Sequence, residues 1–111
     1  MMKTSELIGP ALDWAVAKCE FPEPDYTSDD WIVYVTTYGD DDWIFNPSTD
    51  WSQGGPIIER ERLFLTPQNY GYLAQSTTSD GRGETPLIAA MRCYVASKLG
   101  DEVDMPENLH G

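Results

Sequence analysis

The apolar positions of the chain change period several times, and each change marks an element. Ala11, Trp14, Ala15 and Cys19 recur at helical spacing, with Leu12 and Val16 widening the stripe. This predicts a first helix within residues 5–19. Ser5 can cap it, Gly9 separates a short opening turn, and Pro10 suits the first turn of the main helix. Phe21-Pro-Glu-Pro24 stops it, because proline pushes its predecessor out of the α region. Residues 21–30, rich in Pro, Asp, Ser and Thr, read as loop. Trp31-Ile-Val-Tyr-Val-Thr-Thr37 is an unbroken β-branched and aromatic run and the clearest strand. Tyr38-Gly-Asp-Asp-Asp42 turns the chain, and Trp43-Ile-Phe45 returns it as a hairpin.

Asn46-Pro-Ser48 breaks the pattern again, and Ser48 or Thr49 can cap a short helical turn through Trp51. Gly54-Gly-Pro56 is expected to interrupt that turn, since proline inside a helix costs about 3 kcal/mol. Pro56 then opens a second helical stretch ending near Arg62, although Ile57-Ile58 also suits a strand. Arg62-Leu-Phe-Leu-Thr66 and Tyr70-Gly-Tyr-Leu-Ala-Gln75 bracket Pro67-Gln-Asn69 as a second hairpin, and Ser76 to Glu84 reads as a polar, Gly-rich loop. The last helix takes Thr85 as cap and Pro86 at its first position. Its stripe is Leu87, Ala90, Met91, Tyr94 and Val95, with Ile88 and Leu99 at the margin, and Gly100 ends it. Residues 101–111 read as an acidic, frayed tail. Helix, hairpin, helix, hairpin, helix predicts a single α+β domain. Three helices would pack on one mainly antiparallel sheet of about four strands, built from the two hairpins.

Composition sharpens this picture. At 111 residues the chain is expected to form one domain with a core of its own. A hydrophobic content of 41% argues against disorder. Nineteen acidic against 7 basic residues give a net charge of −12, which repels phosphate backbones and anionic membranes and disfavours general nucleic-acid binding. Cys19 and Cys93 are too few and too far apart for a disulfide framework and suit reduced, buried thiols. The opening residues lack the apolar stretch of a secretory signal, and no run approaches the about 18 apolar residues of a membrane span. A cytoplasmic protein without membrane contact is the expectation, as a monomer or as a homodimer paired through the Trp43-Ile-Phe45 edge.

Several stretches carry a resemblance. Ser5-Glu-Leu7, Ala11-Leu-Asp-Trp-Ala-Val-Ala17, Ser48-Thr-Asp-Trp-Ser-Gln-Gly-Gly-Pro-Ile-Ile-Glu-Arg-Glu61 and Thr85 through Val103 resemble the NinX-like proteins of lambdoid phages. The likeness runs from about residue 3 to residue 106, and residues 21–46 and 66–84 match poorly. A weaker likeness, bearing on fold only, links the Asn46-Pro-Ser-Thr-Asp-Trp51 stretch and the elements after it to phage ABA-sandwich domains. The resemblance implies a phage or prophage origin and expression in a bacterial cytosol. It brings no catalytic residue and no cofactor with it.

Asp40-Asp-Asp42 and Asp29-Asp30 offer oxygen ligands but no EF-hand spacing, so a solvated hairpin tip is the better reading and no metal is expected. His110 is the single histidine and stands next to last, which leaves Ser-His or Cys-His catalysis and zinc without a convincing set. The expectation is a protein that binds rather than catalyses. Arg60 follows the most distinctive motif and, with Arg82 and Arg92, would form an anion site if the three converge. Gly54 and Gly55 can offer backbone N–H groups there, although a plain turn is the simpler role. Trp51 can stack on a base, while core packing is the ordinary role for it and for Trp43. Two partners are therefore expected to compete: a host protein recognised by the acidic surface, and a small anionic, nucleotide-like ligand beside Trp51, Gly54, Gly55 and Arg60. A small enzyme acting on a nucleotide ranks below both.

Overall fold

The computed structural model describes residues 1–21, 26–28, 32–35 and 43–106. Its α+β order begins with a two-residue strand β1 (Met2–Lys3), a 3-10 turn (Thr4–Glu6) and helix α1 (Pro10–Glu20). Gly9 has φ 59° and Pro10 opens α1, so the break expected at Gly9-Pro10 divides the opening turn from the helix. Strands β2 (Tyr26–Ser28), β3 (Val33–Val35) and β4 (Trp43–Ile44) follow, then helix α2 (Trp51–Glu61). Strands β5 (Phe64–Gln68), β6 (Gly71–Gln75) and β7 (Asp80–Gly83) lead into helix α3 (Pro86–Leu99) and a closing strand β8 (Glu102–Val103).

Both expected hairpins form, β3 against β4 and β5 against β6, all antiparallel. The expected single sheet does not. The described strands make three separate sheets, ordered β1-β8, β2-β3-β4 and β5-β6-β7. Each hairpin recruits its third strand from a segment whose polar composition reads as loop: β2 lies within residues 21–30, and β7 within 76–84. Nor is the whole tail frayed. Glu102 and Val103 pair with Lys3 and Met2, and Val103 is buried; residues 107–111, with His110, lie outside the described residues. The turn at residues 38–42 and the carboxylates of Asp29-Asp30 and Asp40-Asp-Asp42 also lie outside them.

Helix α2 corrects a second expectation. It runs unbroken through Gly54-Gly55-Pro56, capped by Asp50, whose side chain accepts the Ser52 N–H at 2.9 Å. Pro56 is the sixth of the helix's eleven residues, and its missing N–H forfeits one intrahelical bond without ending the helix. Gly54 is packed: a Cβ there would stand 2.5 Å from the Pro47 carbonyl oxygen and 2.6 Å from a Leu87 methyl. The glycine therefore lets α2 lie directly on the Pro47 turn and on α3.

Helix α3 is the centre of the fold. Its buried residues, Leu87 to Met91 and Cys93 to Val95, go most of the way round the helix rather than along one stripe. A helix apolar on most sides is one surrounded by other elements, and α3 touches α1, α2, β6 and β7. Thr85 caps it by accepting the Ile88 N–H at 3.1 Å, and Gly100 ends it, as the sequence predicts. Leu7, Leu12 and Val16 from the N-terminal side, Val33 and Val35 from β3, Ile57 and Ala74 complete one core cluster around it.

Candidate functional site

The candidate site residues fall into three surroundings, determined by the faces of α2 and α3. Trp51 opens α2 and is 53% exposed, not a core residue. With Asp50 as cap, Trp51 is the first helical residue, and its ring lies alongside Gly55, where a Cβ would approach it at 3.9 Å. It lines a shallow depression of about 240 Å³ with Thr49, Thr85 and Pro86. Trp43 is also exposed, at 38%, and stacks edge-on with Phe21 and with the buried Phe45.

Arg60 stands nine residues after Trp51, on the opposite side of α2 at about 100° per residue. It is fully engaged there. Its Nη1 and Nη2 donate to the two Glu20 carboxylate oxygens at 3.0 and 2.7 Å, its Nε donates to Glu61 at 2.9 Å, and Nη2 also reaches the Tyr94 hydroxyl at 3.2 Å. Tyr94 donates its hydroxyl to Glu20 in a short hydrogen bond. Burial opposes ionisation of Glu20, but the Arg60 and Tyr94 hydrogen bonds hold its pKa below the ordinary carboxylate value. The same contacts with Glu20 and Glu61 push the Arg60 guanidinium further up. Arg60 thus clasps α1, α2 and α3 together, and its charge is neutralised within the protein.

Arg82 and Arg92 do meet, on the other side of α3. Arg92 and Tyr94 are two residues apart and so face nearly opposite ways, which separates this region from the Arg60 clasp. Gly81 and Gly83 make the approach possible. A Cβ at Gly81 would stand 2.4 Å from the Cys93 nitrogen, and one at Gly83 would stand 2.7 Å from the Ala89 nitrogen, so β7 lies backbone to backbone on α3. Arg92 then donates from Nη1 to the Arg82 carbonyl at 2.8 Å and from Nε to the Leu7 carbonyl at 2.8 Å. The first bond satisfies one carbonyl of β7, and the second ties the N-terminal segment to α3. Arg82 itself donates to the neutral Gln68 amide oxygen at 2.9 Å.

Between β7, the end of α3 and the N-terminal strand lies a cleft of about 540 Å³. Lys3, Arg82 and Arg92 all line it, and among the described residues none of them is in an ion pair. Burial lowers the Arg92 pKa, with Glu84 opposing, as expected of a partly desolvated cation that lacks a bonded counter-charge. Asp80, Glu84, Asp101 and Glu102 stand around the same cleft. Thr4 is fixed at its wall by donating to the Gly100 carbonyl at 2.6 Å. Tyr70, in the tight turn joining β5 to β6, is 99% exposed and stands at the rim. Lys3 and Tyr70 are absent from the anion set expected from sequence. The usable signal was the alternation Gly81-Arg82-Gly83, whose period of two presents a strand with one face stripped of side chains.

Two further groups are shielded. Asp13 is buried on α1 and accepts the Ser48 N–H at 2.9 Å; burial raises its pKa to about 6, with the Ser48 hydrogen bonds opposing. Burial, with the adjacent Glu20 charge adding, pushes the Cys19 thiol up to about 12. Among the described residues no group of three or more His, Cys, Asp and Glu is placed to hold a metal ion, and no helix is long and apolar enough to cross a membrane.

Fold and site together define a small acidic α+β protein with a mixed-charge cleft beside its central helix. The family model described as Bacteriophage P22, NinX matches residues 3–98, and the chain belongs to that phage family. No match is found among curated proteins.

Proposed function

We propose that this NinX-family protein is an accessory phage protein that acts by binding rather than by catalysis, and that it binds a small ligand through an anionic group in the cleft of Lys3, Arg82 and Arg92. One observation carries this reading. In a chain of net charge −12, three of the 7 basic residues line one cleft without an ion pair among the described residues. Asp80, Glu84, Asp101 and Glu102 line the same cleft, yet none of them is ion-paired to these three cations. Cations hydrogen-bonded only to neutral oxygens in so acidic a protein are suited to a ligand's negative group, and arginine matches phosphate or carboxylate geometry well. The volume lies within the usual range of small-molecule sites, about 300–1,000 Å³. The reading moves the ligand away from Trp51, Gly54, Gly55 and Arg60, because Arg60 is already satisfied by Glu20 and Glu61.

The test is a thermal-shift screen of small phosphates and carboxylates on the full chain and on the double variant Lys3→Gln/Arg82→Gln. The expected outcome is a stabilising anion class that raises the wild-type melting temperature and leaves the variant unmoved. Equal shifts in both proteins, or none in either, defeat the reading.

A second reading rests on the −12 charge itself: the acidic surface engages a basic patch on a host protein. Affinity for such a partner must weaken steeply as salt rises to physiological strength. A complex indifferent to salt removes its basis.

A further inference from the structure

We infer that the cleft takes a nucleotide with a single phosphate and an amino-bearing base, the phosphate held by Lys3, Arg82 and Arg92 and the base stacked on Tyr70. This rests on the reading of the cleft as an anion site and adds what fills the rest of it.

Tyr70 supplies the first argument. Its ring is 99% exposed, so it contributes almost nothing to the core, and it stands where two depressions adjoin. One is the 540 Å³ cleft; the other, about 490 Å³, is lined by Gln68, Asn69, Tyr70 and Arg82. Tyr70 and Arg82 are common to both. A guanidinium lining the same cleft as an unburied aromatic ring can grip a phosphate while a flat base covers the ring, because every base has a π-face. The turn is firmly seated: Gly71 has φ 103°, and a Cβ there would meet the Gly83 carbonyl oxygen at 2.4 Å.

Charge supplies the second argument. Against its three cations the cleft presents four carboxylates, Asp80, Glu84, Asp101 and Glu102. Four carboxylates against three cations leave the lining at −1 before any ligand enters, so every added phosphate meets more repulsion and a single phosphate is tolerated best. The carboxylates then need hydrogen-bond donors. A sugar's hydroxyls and an exocyclic amino group are donors of that kind, so a ligand carrying both suits a lining in which Glu84 and Glu102 stand among the cations.

The experiment is calorimetric titration of the full chain with adenosine monophosphate, uridine monophosphate, adenosine, ribose 5-phosphate and adenosine triphosphate. It is repeated on Tyr70→Ala, Tyr70→Phe and Arg82→Gln, none of which touches a core residue. Adenosine monophosphate is expected to bind about tenfold more tightly than adenosine, ribose 5-phosphate or uridine monophosphate, and no less tightly than the triphosphate. Tyr70→Ala should cost about tenfold, the worth of one stacked base, while Tyr70→Phe retains affinity. Arg82→Gln should weaken the phosphate-bearing probes and leave adenosine unchanged. If ribose 5-phosphate binds as tightly as the nucleotide and ignores Tyr70→Ala, the nucleotide inference is overturned while the anion site stands. If uridine monophosphate matches adenosine monophosphate, the amino-base assignment is overturned. If no probe binds, the nucleotide inference is overturned, and the anion site then depends on the wider screen.

Discussion

The Asp13 carboxylate, buried on α1, accepts a hydrogen bond from the Ser48 backbone N–H at 2.9 Å and so ties the first helix to the turn that leads into the second. The bond is favourable, but burial dominates and raises the carboxyl from an ordinary 3.8 to about 6. A raised carboxyl pKa means that the folded protein holds this proton more tightly than the unfolded chain. Between pH about 4 and 6 the folded state therefore carries a proton that the unfolded state has released, and stability falls as pH rises through that window. Above it the full penalty applies, on the order of 3 kcal/mol. Asp13→Asn removes the charge and keeps an acceptor for Ser48. It should be more stable than wild type at pH 7.5 by about 2 kcal/mol and indistinguishable near pH 4. Urea unfolding of both proteins at the two pH values checks this; parallel pH profiles would place the effect elsewhere.

The Arg60 clasp gives a prediction that bears on stability and is null for binding. Glu20 accepts from both Arg60 and Tyr94, and Tyr94 is 2% exposed. Glu20→Ala leaves the buried Tyr94 hydroxyl without its acceptor, a loss of about 1–3 kcal/mol. Arg60→Ala removes only the half-exposed partner and should cost about 1 kcal/mol or less. Neither variant should change affinity for an anion held at Arg82. A loss of binding in Arg60→Ala with an unchanged melting temperature would return the ligand to α2.

Cys19 offers a chemical test of the same corner. Burial pushes its thiol up to about 12, so the thiolate that reacts with alkylating reagents is scarce at pH 8. Relative to the denatured chain, alkylation of folded protein with iodoacetamide should slow by roughly a thousandfold. Near-equal rates would mean that the end of α1 opens readily.

Much of this architecture was legible because the signals were local. Thr85-Pro86 and Gly100 bound α3, Gly9-Pro10 starts α1, and the two hairpins follow from alternation and turn residues. What failed to read was non-local. β7 is a strand because Gly81 and Gly83 fit against the α3 backbone, a fact about the partner helix that composition presents as a loop. Trp51 is outside because Asp50, not Ser48 or Thr49, caps α2 and fixes the phase of the helix. Whether the three arginines converge depends on which face of α3 each meets, which spacing along the chain does not encode. Arg82 joins Arg92, and Arg60 joins Glu20 on the far side.

The paired glycines of α2 make the sharpest test of its packing. Replacing a helix-interior glycine by alanine ordinarily gains about 1 kcal/mol through backbone entropy. Gly55→Ala should show that gain, since its Cβ would meet only the Trp51 ring at 3.9 Å, an ordinary contact. Gly54→Ala should reverse it. Its Cβ would fall 2.5 Å from the Pro47 carbonyl oxygen and 2.6 Å from Leu87, and backbone on one side cannot yield as a side chain does. Overpacking of this kind costs about 1–3 kcal/mol, enough to outweigh the propensity gain. Adjacent residues bearing the same substitution should therefore move the urea midpoint in opposite directions. If both variants are stabilised, α2 does not rest on the Pro47 turn as closely as these distances require.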